Sequence, residues 1–270
     1  MLYQYIAYDY LKYGYTCTHQ PVYAEITVAI GLWWLVGGSY LDLKNVYCCS
    51  VSTISKHRLC FICAVTLCDL LKLKFLMSAT EICSVQTQLP KISSNSIISG
   101  CVGAMDGLLV VIKCPLLKDC NNYPSSYYSG HCCCHGLNIR AICDVFCQFI
   151  FLAVAAPGKS SDQAAIEHTG LPATLDTFPL GSFVVGDAAY TLADKCITPF
   201  IGSQWLNPTK DTLNYFLSQA WIGIEMAFGL LTTKWRILKN PLGVSLHVGS
   251  KLLKCISQLQ YYCIDMRSNN

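Results

Sequence analysis

The spacing of apolar and polar positions divides the chain into a helical front and a mixed helix-and-strand remainder. Residues 24–36 are almost wholly apolar and long enough for about three turns of helix, and Gly37-Gly38 stops them. Ser39 opens a second helix as its N-cap, and the run Ser50-Val51-Ser52-Thr53-Ile54-Ser55-Lys56-His57 opens a third. A helix, a short turn and a helix that begins on Ser and Thr make the helix-turn-helix pattern. A plain helical bundle packed on the rest of the chain fits the same residues. If the third helix reads DNA, then Ser52, Thr53, Lys56 and His57 must share one exposed face.

Pro90 and Ser93-Ser94-Asn95-Ser96 mark a linker. Beyond it the pattern predicts strands at 98–105, 108–112, 137–143, 149–155 and 183–185, with Asp106-Gly107 as the turn of a hairpin between the first two. A short helix is expected at 162–168 and a long one at 211–231. The expected division is a tyrosine-rich lead-in over 1–22, a helical, helix-turn-helix-like region over 23–75, a linker over 76–97 and an α/β domain over 98–270. That domain should hold a mixed sheet flanked by helices.

Composition narrows the function. The longest apolar run, 26–36, is too short to span a bilayer, and the opening residues lack a basic-then-apolar signal. The expectation is a soluble, intracellular protein with no membrane partner. Nineteen Lys and Arg against 16 Asp and Glu leave a net charge of +3. That is a weak footprint for a chain that must neutralise DNA phosphates unaided. The 18 Cys are expected to be reduced thiols rather than a disulfide framework. Cys60 and Cys63, and the cluster His131-Cys132-Cys133-Cys134-His135, lack the second well-spaced pair that a zinc site needs.

Within this sparse charge, Asp106, Asp187 and Glu225 each stand in an apolar run. A carboxylate among core residues is costly unless something positive pairs with it, and several together repel unless they hold a cation. Oxygen-only ligands select hard ions such as Mg²⁺ or Mn²⁺. The three are far apart in sequence, so only the fold can bring them together. Taken singly, each also has an ordinary structural reading: a turn residue, a strand-end cap and an exposed helix position. Asp162 fits a helix N-cap, and Asp144 a strand-end turn. Lys234 and Arg236 fit phosphate contacts or a solvated basic face, with Trp235 between them as a core anchor. Arg140 and Lys159 are weaker candidates for phosphate.

Five blocks, in order from about Ile98 to Leu242, resemble the PIF/Harbinger transposases and the nucleases derived from them. They are Gly103-Ala104-Met105-Asp106-Gly107 with Val111-Ile112-Lys113-Cys114-Pro115; Gly136 to Asp144; Ala155 to Asp162; Gly186-Asp187-Ala188-Ala189-Tyr190 with Thr198-Pro199-Phe200; and Asn214-Tyr215 through Glu225-Met226-Ala227-Phe228-Gly229 to Lys234-Trp235-Arg236-Ile237-Leu238. The catalytic region of that family is a DDE superfamily endonuclease domain. The resemblance implies a ribonuclease H-like fold, with two Asp on strands and the last acid on a helix. It implies a nuclear, divalent-metal-dependent DNA endonuclease or transposase. Asp106, Asp187 and Glu225 would be both catalytic and metal-ligating, holding two Mg²⁺ or Mn²⁺ ions that activate water and stabilise the leaving oxygen. The same motif carries an Asp at 162, which implies a near-site place for it. Harbinger-type transposases commonly work with a separate Myb-like DNA-binding partner, and such a partner would account for the weak basic footprint.

Where the family usually has Tyr or Arg, this chain has Cys132 to Cys134 and Trp221. Single base transitions produce such changes, which fits a transposon copy accumulating mutations. A catalytically inactive remnant that binds DNA or protein therefore stays open as an alternative, as does a ribonuclease H-like enzyme acting on RNA.

Overall fold

The computed structural model describes residues 2–6, 22–73, 78–87, 98–167 and 169–268. The chain forms α1 (Leu2–Ile6), α2 (Ala24–Leu35), α3 (Tyr40–Tyr47), α4 (Val51–Leu67) and α5 (Ala79–Gln86) before the sheet begins. Then come β1 (Cys101–Val111), β2 (Tyr128–Ser129), β3 (Cys134–Cys143), β4 (Phe149–Pro157), α6 (Asp162–Glu167), α7 (Leu171–Asp176), β5 (Phe183–Val185) and β6 (Cys196–Ile197). The long helices α8 (Pro208–Lys234) and α9 (Leu246–Ser268) close the chain.

Local chemistry sets most helix ends. Gly37 takes φ +93° just past α2, a conformation that glycine adopts without the steric penalty a Cβ brings. The Ser39 hydroxyl accepts the Leu41 N–H at 3.1 Å, and the Ser50 hydroxyl accepts the Thr53 N–H at 3.1 Å. Both serines thus cap their helices as the sequence predicts. The stretch read as linker holds α5, opened by a capping box between Ser78 and Glu81. Its Ile82 and Val85 are buried, so it packs rather than links. Pro90 and Ser93 to Ser96 lie outside the described residues, as do residues 7–21 of the lead-in.

A six-stranded sheet runs β2-β3-β1-β5-β6, with β4 also paired to β3. β1 is antiparallel to β3 and parallel to β5, and β6 is parallel to β5. The hairpin expected at Asp106-Gly107 does not form. β1 passes straight through both residues, with Asp106 opposite Ala141 and Gly107 opposite Arg140. A glycine inside a strand often marks a close approach rather than a turn. Here a Cβ on Gly107 would overlap the Arg140 guanidinium, so Gly107 makes room for it.

The two faces of the sheet carry separate cores. One joins Ala104, Val110, Ile139 and Ala141 to Ile224, Ala227 and Phe228 of α8, to Leu252 and Ile256 of α9, and to Phe61, Ile62 and Val65 of α4. The other joins Val102, Met105, Ile142 and Val184 to α5, α6 and α7. The amino-terminal helices therefore share a continuous core with the sheet, and α4 lies against α9. No helix among the described residues is long and apolar enough to cross a membrane.

α2 and α4 approach closely at Gly31, where a Cβ would fall inside the Phe61 ring. Phe61 is fully buried and cannot swing away. Alanine gains about 1 kcal/mol of helix propensity, but overpacking costs about 1–3 kcal/mol. Gly31→Ala is expected to lower unfolding stability by about 1 kcal/mol in urea titration; a stabilised variant would show that the two helices separate freely.

Candidate functional site

The centre of the site is set by the β1–β5 register. The parallel pairing runs through Gly103 opposite Val184 and Ala104 opposite Val185. Two residues further along each segment stand Asp106 and Asp187. Positions two apart on a strand share a face. Ala104 packs into the core beneath α8, and Val185 packs with Leu217 of α8. The register thus directs both aspartates to the α8 face. Arg140 stands opposite Gly107, and so on the other face, where its Nη1 donates to the Tyr190 hydroxyl at 3.1 Å. At 2 % exposure it is a buried structural cation and not the phosphate contact considered from sequence.

Each aspartate is oriented by its own backbone. The Gly107 N–H donates to Asp106 Oδ1 at 2.7 Å, and the Ala189 N–H donates to Asp187 Oδ1 at 3.0 Å. Asp187 heads a turn that returns the chain to Tyr190, whose N–H donates to the Asp187 carbonyl at 3.3 Å. Beside it, burial and then the Asp187 charge push the Cys196 thiol up to about 11, so Cys196 stays protonated at neutral pH.

α8 covers this edge. The Asn207 side chain accepts the Thr209 N–H at 3.0 Å and starts the helix at Pro208, three residues before the predicted start. Asn214 then clamps the loop after β6. Its Oδ1 accepts the Phe200 N–H at 2.8 Å and its Nδ2 donates to the Phe200 carbonyl at 3.0 Å. This pair went unseen in sequence because it joins two blocks that were read separately. Asn214, Ser218 and Trp221 line a small cavity of about 160 Å³ with Asp187. The spacing 214, 218, 221, 225 follows one helical stripe, so Glu225 continues the flank that borders Asp187, about 6 Å further along the axis. Glu225 itself is exposed.

Among the described residues, no group of three or more His, Cys, Asp and Glu side chains is placed to hold a metal ion. Asp106 and Asp187 are brought to neighbouring segments, and Glu225 does not stand with them as a third ligand. As oxygen donors the two aspartates suit a hard divalent ion. They would supply part of such a shell, and Glu225 is an exposed carboxylate on the same flank of α8.

The remaining candidates lie elsewhere. Asp162 begins α6, but the cap is the preceding Ser161, whose hydroxyl accepts the Ala164 N–H at 3.3 Å. The Asp162 side chain lies outside the described residues. Asp144 is buried and accepts the N–H groups of Phe146 and Gln148, both at 2.9 Å, in the turn before β4. Burial raises its carboxyl above the usual range, partly offset by those bonds. Lys234 and Arg236 lie at the far end of α8, roughly 14 Å or more beyond Glu225 along the axis. Trp235 between them is buried and donates from Nε1 to Gln260 Oε1 at 3.1 Å. Lys159 is exposed on the loop after β4.

On α4, Ser52 and Lys56 are exposed and Thr53 is half-buried, but His57 is 4 % exposed and hydrogen-bonded through Nδ1 to Thr27 Oγ1 at 2.8 Å. The four do not share one exposed face, because His57 turns inward to α2. Burial, and secondarily the Lys56 charge, lowers the His57 pKa below its ordinary value. A depressed histidine favours the neutral form in the fold. Its contribution is therefore complete above about pH 6.5, the unfolded value, and is lost as pH falls below it. Between pH 7.5 and 5.5 the wild type is expected to lose more stability in urea unfolding than His57→Gln; equal losses would remove His57 as the cause.

The chain matches a family model, DDE superfamily endonuclease, over residues 105–264. That span includes Asp106, Asp187, Glu225, the whole of α8 and most of α9. No match was found among curated proteins or among solved structures.

Proposed function

Because the chain belongs to the DDE superfamily endonucleases, we propose that it is a divalent-metal-dependent DNA endonuclease of the Harbinger transposase type, with Asp106, Asp187 and Glu225 as its carboxylates. The observation that carries this reading is the β1–β5 register, which leads to Asp106 and Asp187 two residues beyond Ala104 and Val185. Strand order supports a ribonuclease H-like fold: a central β1, an antiparallel β3 and β4 on one side, and parallel β5 and β6 on the other.

A bound divalent ion, Mg²⁺ or Mn²⁺, supplies an activated water and charge stabilisation at the cleaved phosphodiester. The protein's own contribution is rigidity and charge. Asp106 sits within a strand paired on both sides, which fixes its backbone. Asp187 is held by its turn and by the Asn214 clamp on the neighbouring loop. Glu225 completes the set when its exposed side chain turns in from α8. The carboxylates repel the DNA backbone until the ion neutralises them, so metal raises affinity as well as permitting cleavage.

With a net charge of +3, the chain gains little from counterion release on its own. We propose that a separate Myb-like protein shares the DNA contacts in the nucleus, with Ser52 and Lys56 of α4 as this chain's exposed contribution. The second reading is a remnant that binds without cutting. The incomplete carboxylate group and the indole at 221 favour it.

In a Mg²⁺- or Mn²⁺-dependent cleavage assay on DNA, wild type is expected to cut slowly and Asp106→Asn not at all, with unchanged circular dichroism. Undiminished cutting by Asp106→Asn would remove the carboxylate mechanism, and no cutting by either protein with any partner would leave the binding remnant.

Trp221→Arg places a guanidinium beside Asp187 while its stem keeps part of the indole's packing. DNA binding should tighten, and the log–log salt slope should steepen by about 0.9 for one added phosphate contact. An unchanged slope would show that residue 221 does not face DNA.

A further inference from the structure

A cavity of about 560 Å³ lies along β4, between that strand, α9 and the segment after α4. β4 is hydrogen-bonded to β3 alone, so this is the open edge of the sheet. The cavity has three kinds of wall. Phe151, Leu152 and Val154 make an apolar floor, Lys251 and Lys254 rise from α9, and Gln258 closes the end.

Gln258 points most directly to a ligand. It is 1 % exposed, yet among the described residues neither Nε2 nor Oε1 has a hydrogen-bond partner. The neighbouring buried polar groups on α9 are satisfied: the Ser257 hydroxyl donates to the Leu253 carbonyl at 2.8 Å, and Gln260 accepts from Trp235. An unsatisfied buried amide is costly and uncommon. One water occupies about 30 Å³ of liquid, so a single bridging water does not account for a space of this size.

From these features we propose that the cavity binds a nucleotide unit, either a free mononucleotide or an unpaired residue of a DNA strand. Gln258 offers a donor and an acceptor side by side, which matches the edge of adenine. The apolar floor receives the base. Lys251 lies seven residues before Gln258 on the same helix, about 10 Å along the axis, and Lys254 lies between them. That order sets cationic groups at one end for phosphate and the amide at the other for the base. Lys72 borders the same cavity, but its charge is paired with Asp69, which leaves Lys251 and Lys254 as the cations of the rim. A simple carboxylate or an acyl chain would use the lysines or the floor but leave the amide unsatisfied.

Leu152 of the floor lies in register with Asp106 two strands away, through Ala141, so the test is made without divalent metal, where no cleavage occurs. Binding of adenosine 5′-monophosphate, adenosine, inorganic phosphate and a short single-stranded oligo(dA) is measured by calorimetry on the full chain. EDTA is present throughout, in wild type and in Asp106→Asn. The monophosphate should bind both proteins alike, more tightly than adenosine or phosphate alone. Gln258→Met should weaken it about tenfold, the worth of one paired amide–base contact, while leaving the empty protein at least as stable thermally. Lys251→Ala with Lys254→Ala should weaken the monophosphate and spare adenosine. Oligo(dA) that binds and competes with the monophosphate assigns the site to a DNA strand; failure to compete assigns it to a free nucleotide. No binding of the monophosphate, binding no tighter than phosphate alone, or binding indifferent to Gln258→Met would overturn the proposal.

Discussion

β1 is hydrogen-bonded on both sides, antiparallel to β3 and parallel to β5, and the rest of the structure hangs on that double ladder. Its alternation sends Ala104 to the core under α8 and Met105 to the core against α6 and α7. One register therefore fixes two layers. A slip of one residue would exchange the faces of β1, carrying Ala104 and Asp106 to the opposite side of the sheet. The parallel partner β5 is only three residues long. It still suffices, because β6 and the buried Val184 and Val185 hold it from the other side and from both faces.

The site inherits its rigidity from this arrangement and its openness from α8. Asp106 and Asp187 are fixed by the sheet and by backbone hydrogen bonds, whereas Glu225 belongs to a surface stripe that no neighbouring element covers tightly. Along the same helix Ile222, Met226 and Leu230 are 48, 55 and 42 % exposed. The inner flank of α8 is a core element and the outer flank an uncovered apolar surface. Metal sites require their ligands to be held in place by packing; Asp106 and Asp187 are held by backbone N–H groups, whereas the Glu225 side chain is exposed. At the same edge the buried Nε1 of Trp221 has no hydrogen-bond partner among the described residues.

The amino-terminal helices show how a local pattern can be right in its parts and incomplete as a whole. Their caps and breaks follow from Ser39, Ser50 and Gly37, as local chemistry dictates. Their association with α9 and the sheet rests on Phe61, Ile62 and Val65, which read equally well as the inside of a free bundle. His57 looked like a surface contact because it follows Lys56 in a polar start to α4. Only the approach of α2, made possible by Gly31, supplies Thr27 as its partner.

Sequence by itself determined the DDE endonuclease superfamily, the cap at Ser39, the strands at β3, β4 and β5, and the acidic residues that stand in apolar runs. Each depends on neighbours within a few positions or on an ordered set of motifs. Tertiary structure decided what depends on long-range approach. Gly107 reads as a turn until Arg140 is seen to need its missing Cβ. Asp106 and Asp187 become neighbours only through strand register, while Glu225 stands exposed on α8, one turn beyond Trp221. The unsatisfied Gln258 could not be read at all, since the state of a buried amide depends on what the fold fails to place beside it.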